Sequence, residues 1–406
     1  MIHFTKKVWF MLVFQLALLL LVGCGKEDEL VIEEAGDRKI ITLDALSLNS
    51  AMEQCVALFN QKNPDYYVHK VDYNNDMTYE EFLDARALKI MTGRSADLLY
   101  LSSDFRVNEY VEKGVLEDLT PYIERDIEKD RYVEGVFNFF SIGDGVYAAP
   151  VDADVNLLLK KCETKSPYED ITFAQLCDLL EKKEPASLFD RPVKDTLWFL
   201  YLYFGVNVND PEELATMIEL AEKYQRKPDT GMVFEKDFLM VDFRMSNPNS
   251  MLGTYVTFGK LGEDISGVNA PIVTSSFFGI SSSSEEKEGA WEFIRFMLQE
   301  ECQEIISASF MPVRKETFMS KCEEEYADEL RRQYLEEQGV SMDHFIRNYN
   351  EMIQRGKPRE LMAENYDILK IVWEEAAKYY DGEKDLASTI DVIQNRISLY
   401  QKENDM

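Results

Sequence analysis

Histidine is scarce in this sequence, and its scarcity excludes several kinds of catalytic and metal site. Only 3 histidines occur in 406 residues, and His69 and His344 lie far apart in the chain. No two C-x-x-C motifs are present to form a zinc or iron–sulfur cage. The G-x-x-x-x-G-K-[ST] and G-x-S-x-G motifs are also missing. We therefore expect no metal, no cofactor and no histidine-based hydrolase.

Basic residues are few relative to acidic ones. Lysine and arginine total 44 against 75 aspartates and glutamates, which gives a formal net charge of -31. A strongly negative surface repels phosphate backbones, so nucleic acid is not an expected partner. The 46% hydrophobic content over 406 residues is enough for more than one core. Composition therefore favours a chain of two lobes.

Long apolar runs are missing apart from the stretch Val8–Val22, which follows Lys6 and Lys7. This stretch is shorter than the roughly 20 residues that a membrane-spanning helix needs. A positive start, a short apolar middle and a small residue before the cut are typical of an export signal. The sequence therefore predicts a cleaved leader at residues 1–24.

The segment Leu21-Val22-Gly23-Cys24 is similar to a bacterial lipobox, in which the cysteine thiol receives diacylglycerol. Two acyl chains are sufficient for stable membrane attachment. We therefore expect lipidation at Cys24, an acidic tether at residues 25–38, and a location at the extracellular face of the bacterial cell membrane.

Five further cysteines remain if Cys24 carries lipid, and an odd number cannot all pair within one chain. They are Cys55, Cys162, Cys177, Cys302 and Cys322. Either most of them are buried small apolar side chains, or one or two pairs are oxidised.

Strand and helix patterns alternate after the tether. Apolar and β-branched residues at 39–43, 67–73 and 97–101 predict strands. Between them, the spacing of Met52 to Phe59 indicates one buried helix face, and Thr78–Glu81 has the form of a capping box. This alternation predicts an α/β domain with a largely parallel sheet.

Helical patterns dominate the middle of the chain and its last third. A capping box at Thr172–Gln175 and the pair Asp210-Pro211 predict helix starts. Strand character returns at Gly253–Phe258 and at Phe277–Ile280. The chain is then predicted to be helical to its end, where the last helix carries a buried stripe of Ile390, Ile393, Ile397 and Tyr400.

Several short segments together resemble extracellular solute-binding protein family 1, which serves sugar ABC importers and includes maltose-binding protein. Each segment is weak alone, but their order and spacing are similar to the family's. They are Leu58–Val68, Leu88–Leu98, Gly145–Pro150, Phe278–Ser281, Ala290–Ile294 and Met311–Arg314.

The resemblance implies a two-lobed periplasmic-binding-protein-like (type II) α/β fold. Each lobe would be a mostly parallel sheet flanked by helices, and the chain would cross a hinge three times, near Ala149, Pro271 and Pro312. The implied lobes are residues 39–149 with 271–312, and 150–270 with 313–406.

The resemblance also implies that a ligand binds between the lobes, at the carboxyl ends of strands. Aromatic residues make up 12% of the chain, and flat rings stack on the C–H faces of sugars. Asp104 and Ser50 have an alternative role as helix caps, and Tyr147 as a packing residue under the hinge. The candidate ligand-binding residues are Asn49, Ser50, Ser103, Asp104, Tyr147, Asp152, Asp154, Trp198, Phe258 and Phe277.

The function that follows from the resemblance is capture of a mono- or oligosaccharide by a monomeric lipoprotein without catalysis, and its delivery to ABC permease subunits. Three alternatives remain open at this stage. The chain could bind a solute that is not a sugar, or act as a sensory lipoprotein. It could also be a surface-anchored enzyme that acts on glycans with a pair of carboxylates.

Overall fold

The structure, a computed structural model, describes most of the chain beyond the predicted leader. The described residues are 31, 33–74, 76–102, 106–162, 165–182, 188–189, 191–225, 240–247, 249–250, 253, 260–261, 263–337, 339–358 and 366–404. They divide into two compact units. Unit 1 runs to Leu99 and includes Ser283–Phe293, and unit 2 comprises Tyr100–Ser282 together with the chain from Ile294 onward. Cys24, Ser103, Asp104 and Phe258 lie outside the described residues.

The strands and helices have the following bounds. The strands are β1 Lys39–Asp44, β2 Tyr66–Lys70, β3 Leu98–Tyr100, β4 Ser141–Ile142, β5 Gly145–Val146, β6 Ala149–Pro150, β7 Asp154–Lys161, β8 Tyr168–Glu169, β9 Val241–Met245, β10 Ile265–Thr274, β11 Phe277–Ile280 and β12 Lys357–Pro358. The helices are α1 Ser50–Lys62, α2 Tyr79–Met91, α3 Val107–Glu112, α4 Thr120–Asp126, α5 Phe173–Lys182, α6 Val193–Phe204, α7 Pro211–Lys223, α8 Lys287–Met297, α9 Glu300–Ser307, α10 Lys315–Tyr326, α11 Glu329–Glu337, α12 Met342–Arg355, α13 Tyr366–Tyr380 and α14 Leu386–Asn404.

Unit 1 is built on parallel strand pairs, as the sequence predicts. β1 pairs in parallel with β2 on one side and with β3 on the other. The predicted capping box of α2 is present, because the Thr78 side chain accepts from the Glu81 backbone and the Glu81 side chain accepts from Thr78. Helix α1 is capped by Asn49, whose Oδ1 accepts from the Met52 amide at 3.0 Å.

The start of α8 lies unusually close to the sheet of unit 1, at Gly289. A Cβ added to this glycine would lie 2.5 Å from Ile41 Cδ1 and 2.5 Å from the Tyr66 ring. Real Cβ atoms do not tolerate such distances, so glycine permits this close approach of helix and strands.

Gly289→Ala tests this packing by the sign of its effect. In an open helix, replacing glycine by alanine stabilises by up to about 1 kcal/mol. At this position the clash with Ile41 and Tyr66 is expected to lower the free energy of unfolding by about 1–3 kcal/mol instead. Urea denaturation measures the change, and a variant more stable than the wild type would contradict the close packing.

Unit 2 contains a second sheet with the strand order β12-β10-β7-β9, and β8 also pairs with β10. The expectation of a mostly parallel sheet is wrong here, because its longest pairings, β10 with β7 and β7 with β9, are antiparallel. Only the short strands β8 and β12 run parallel to β10. Strand direction depends on where the chain re-enters the sheet, and local sequence does not encode that choice.

The sequence patterns missed all five strands of this sheet, and three of them show why. β7 carries the run Leu157–Leu159, which is buried throughout, and a short continuous apolar run does not distinguish strand from helix. β10 contains Pro271 next to a break in its register with β7, where Asn269 has a φ of 59°. An irregularity of this kind accommodates proline inside a strand. β12 interrupts the last third of the chain, which is therefore not helical throughout.

Helices form much of the core of unit 2. The predicted stripe on α14 is confirmed, since Ile390, Ile393 and Ile397 are buried and Tyr400 packs against the same cluster. Cys302 and Cys322 are also buried here, and Cys55 is buried in unit 1. These three cysteines fill core positions, as small apolar side chains do. Among the described residues, no helix is both long enough and apolar enough to cross a membrane.

An ion-pair network joins α13 to α14 and to the turn between them. The Glu375 carboxylate accepts from Lys378 at 2.7 Å, Lys384 at 2.6 Å and Arg396 at 2.9 Å. Burial alone would raise the pKa of Glu375, but the three donors outweigh it and lower the pKa to about 2. Its side chain is only 4% exposed, against 30–41% for its partners.

Glu375→Gln is expected to destabilise the protein at neutral pH by about 1–2 kcal/mol, because it leaves three cations without their buried partner. A lowered pKa means that this stability is present above the unfolded pKa near 4.5 and is lost as the pH falls towards about 2. Guanidinium unfolding at several pH values measures it. Glu374→Gln is the matched control, since Glu374 is 39% exposed and bonds only one of the same cations, Arg396. Equal losses in the two variants would contradict the role of Glu375.

Candidate functional site

Three distant segments of unit 2 lie side by side next to β6 and β11. The Val151 amide donates to the Ser276 carbonyl at 3.0 Å, and the Ala153 amide donates to the Met311 carbonyl at 3.0 Å. Asp152 also forms a bridge with Pro312. These segments are residues 150–154, 274–277 and 311–313. Each lies at or close to one of the hinge crossings that the family resemblance implies, near Ala149, Pro271 and Pro312 respectively.

Gln303 on α9 fixes two of these segments from behind. Its amide nitrogen donates to the carbonyls of Val151 at 2.8 Å and Met297 at 3.0 Å, and its amide oxygen accepts from Val313 at 2.8 Å and Arg314 at 3.1 Å. The side chain is fully buried. A buried amide with all its bonds made holds its partners in a single arrangement.

Asp152 is buried at the centre of the three segments. Its Oδ1 accepts from the Ser276 amide at 2.7 Å, and its carbonyl accepts from the Ser275 hydroxyl. Burial raises the pKa of Asp152, although the bonds from Ser276 and Ser275 oppose the rise. Its Oδ2 has no hydrogen-bond partner within the described part of the chain.

Asp154, two residues further on, begins β7 and is also buried. Its Oδ2 accepts from Arg244 on β9, at 2.5 Å from Nη2 and 3.2 Å from Nε. Burial and then the nearby Asp152 carboxyl raise the pKa of Asp154 to about 7, despite the Arg244 guanidinium. Two buried carboxyls thus lie near one cation, and near neutral pH Asp154 is protonated for part of the time.

Asp154→Asn is expected to remove a pH dependence of stability. Because the folded pKa of about 7 exceeds the ordinary 3.8, the folded state keeps a proton that the unfolded state releases. The wild type should therefore lose stability as the pH rises from about 4 to about 7, by about 1.4 kcal/mol for each unit of pKa shift. Urea unfolding across this range should show a flatter profile for the variant. Parallel profiles would contradict the assignment.

The aromatic candidates of unit 2 differ in how much of each ring is accessible. Tyr147 is half-buried and its ring covers Gly145, where an added Cβ would lie 2.8 Å from the tyrosine oxygen. Trp198 on α6 is half-buried against the helical core. Phe277 is 0% exposed and packs on Phe140, with 3.9 Å between ring centroids. In this arrangement Phe277 has no accessible face for stacking.

In unit 1 the candidates Asn49 and Ser50 follow β1 at its carboxyl end. Asn49 is half-buried and uses its side chain as the cap of α1, whereas Ser50 is the exposed first residue of that helix. The Ser50 hydroxyl accepts from Gln54 at 3.2 Å. Asn49, not Ser50, therefore takes the capping role.

A polar network that the sequence analysis missed lies behind this end of β1. Arg86 donates to the Asp44 carbonyl at 3.0 Å, and its Nε lies 3.6 Å from the buried Asp44 carboxylate. Tyr73 donates to the same carboxylate at 2.8 Å and accepts from Lys89 at 2.8 Å. Burial, then the Asp44 charge, raises the pKa of Tyr73, so its hydroxyl stays protonated. The network fixes the backbone from which the loop before α1 departs.

Arg244 is also absent from the candidates that the sequence suggested. It is one of many charged residues in the chain, and only the pairing of β9 with β7 places it beside Asp154. An aspartate two residues after Asp152 was a visible signal, but its partner 90 positions away was not.

No other site stands out in the described part of the chain. Within those residues no group of three or more potential metal ligands is assembled. A groove of about 400 Å³ lies between α7 and α13. It is lined by Thr216, Glu219, Leu220, Glu222, Lys223 and Tyr379, and it contains none of the candidate residues.

Comparison with known proteins adds three kinds of finding. A family model described as bacterial extracellular solute-binding protein matches residues 45–304, more than half of the chain. No match was found among curated proteins. Among solved structures, an ABC substrate-binding protein from Listeria monocytogenes in complex with cycloalternan is similar, with a TM-score of 0.54, 17% identity, and coverage of 90% of this chain and 100% of the other.

Two further solved structures have the same fold. A solute-binding protein of an ABC transporter from Thermotoga lettingae, bound with alpha-D-tagatose, has a TM-score of 0.52, 15% identity, and coverage of 88% of this chain and 98% of the other. Maltose-bound MalE3 from T. maritima has a TM-score of 0.51, 15% identity, and coverage of 89% and 99%. At such identities the likeness establishes the fold, and it confirms the predicted mixed α/β fold of two-lobed solute-binding proteins.

Proposed function

The chain belongs to the bacterial extracellular solute-binding protein family, and we propose that it captures a carbohydrate and delivers it to an ABC permease in the membrane. The observation that carries this proposal is the family match over residues 45–304. The family's role is binding, so the proposed function includes no catalytic step.

Support for a carbohydrate comes from two sides. The similar structures were solved with cycloalternan, tagatose and maltose. In this chain, hydroxyl, amide and ring side chains follow the strand ends, among them Asn49, Ser50 and Tyr147. Such side chains bond sugar hydroxyls and cover sugar C–H faces. Three candidates remain predictions from the sequence: Ser103, Asp104 and Phe258. Trp198 also remains a candidate, because part of its ring is exposed.

The remaining parts of the proposal depend on the sequence. Lipidation at Cys24 would hold a monomer at the extracellular face of the membrane, where solute and permease meet. The two lobes implied by the resemblance would close on the solute, and the permease would recognise the closed form. Their boundaries, residues 39–149 with 271–312 and 150–270 with 313–406, are part of the proposal.

A thermal melt against a panel of solutes tests the proposed function. A sugar at 100 times its dissociation constant should stabilise the folded protein by about 2.7 kcal/mol. The panel pairs mono- and oligosaccharides with amino acids and short peptides as control solutes. If only a control solute raises the melting temperature, the carbohydrate assignment is wrong, and solute binding itself stands.

A further inference from the structure

Arg244 has a charged end that is both accessible and fixed. Its side chain is 56% exposed, whereas the Asp154 side chain beneath it is 3% exposed. Two of its nitrogens, Nη2 and Nε, donate to the same carboxylate oxygen. A guanidinium held at two points keeps its orientation, so the N–H groups on its outer side are presented to solvent in a fixed direction.

The position of Arg244 in the sheet is that of a recognition residue. It lies one residue before the carboxyl end of β9, where Met245 pairs with Val155 and Arg244 with Asn156. A polar turn follows, in which the Ser250 hydroxyl accepts from the amides of Ser246 and Asn247. This end of β9 lies beside the start of β7 and so adjoins the crossing segment 150–154.

The charge behind Arg244 restricts what it can bind. Two carboxyls, Asp152 and Asp154, face one guanidinium. Among the described residues, the Tyr349 hydroxyl on α12 interacts with both carboxyls, and the Cys322 thiol on α10 interacts with Tyr349. Burial raises the pKa of both groups, that of Cys322 to about 12, so both are neutral at pH 7. These two groups therefore add no charge, and the single guanidinium of Arg244 faces two carboxyls.

Two carboxyls behind a single guanidinium weaken its attraction for an anionic solute. The chain as a whole has a net charge of -31, which adds to the repulsion. A guanidinium compensated by its own carboxylate still donates hydrogen bonds to the hydroxyl oxygens of an uncharged sugar. A sugar carboxylate gains less from this guanidinium than from a free one, because Asp154 already accepts from its inner side and a second carboxyl, Asp152, lies behind it.

We propose that Arg244, oriented by Asp154, is a recognition residue of the solute site that selects neutral sugars over their uronic-acid counterparts. This inference rests on the proposed function and deepens it. Asp154 acts through Arg244 as a positioning residue, since its own oxygens are covered.

The experiment measures binding of full-length protein lacking only the predicted leader, by isothermal titration. The probes are the neutral trisaccharides maltotriose, xylotriose and cellotriose, together with trigalacturonate as the acidic counterpart. Arg244→Met removes the hydrogen-bond donors. Arg244→Lys keeps the positive charge but lacks the paired N–H groups of a guanidinium. The matched control is Arg355→Met, because Arg355 is also a partly exposed arginine of unit 2 that lies 3.5 Å from an aspartate, Asp170.

The wild type should bind a neutral trisaccharide, and it should bind trigalacturonate at least about tenfold more weakly. The expected cause is repulsion between the sugar carboxylates and the two carboxyls behind Arg244. Arg244→Met should weaken the neutral sugar about tenfold or more, Arg244→Lys should lie between, and Arg355→Met should bind as the wild type does. Asp154→Asn supplies a readout that lost packing alone would not give. It leaves Arg244 with less compensation, and the preference for neutral over acidic sugar should shrink.

Each result counts for or against the proposal. Unchanged neutral-sugar affinity in Arg244→Met, with apo melting temperatures showing that the variant folds, overturns the role of Arg244. Preferred binding of trigalacturonate by the wild type overturns the selectivity. If the wild type binds none of the sugars, the carbohydrate assignment of the proposed function has failed, and the selectivity for neutral sugars fails with it.

Discussion

A single fully buried amide, that of Gln303, constrains the part of unit 2 where the chain returns on itself. Its nitrogen bonds Val151 and its oxygen bonds the amides of Val313 and Arg314, residues more than 150 positions apart along the chain from Val151. A buried amide left without one of these partners would be costly, so the segments are fixed together.

Burial around that point explains the electrostatics of the candidate site. Asp152 accepts from the Ser276 amide, and Asp154 accepts from Arg244, the one cation that bonds either carboxylate in the described structure. Burial raises the pKa of both carboxyls, and the neighbouring Asp152 raises that of Asp154 further. In unit 1 the buried Asp44 carboxylate accepts from Tyr73 and lies beside Arg86.

Local sequence was a good guide wherever a short segment carries its own signal. Thr78 and Glu81 cap α2, and the α14 stripe containing Ile393 is buried, because caps and stripes depend on residues three or four positions apart. The alternation of strands and helices gave the α/β class, and the ordered family-like segments gave the family. The direction of β7 and β10 was missed, since pairing joins residues about 100 positions apart.

The candidate site divides in the same way. The sequence by itself indicated which polar and aromatic residues follow strands, and Asn49, Tyr147 and Asp154 were proposed for that reason. Only the tertiary structure decided that Phe277 is a core residue and that Arg244 covers Asp154, because burial and ion pairing are properties of neighbours in space. The spacing of residues along one segment indicates which helix or strand that segment can form. The free energy of a tertiary contact also depends on the second segment, which the spacing does not identify.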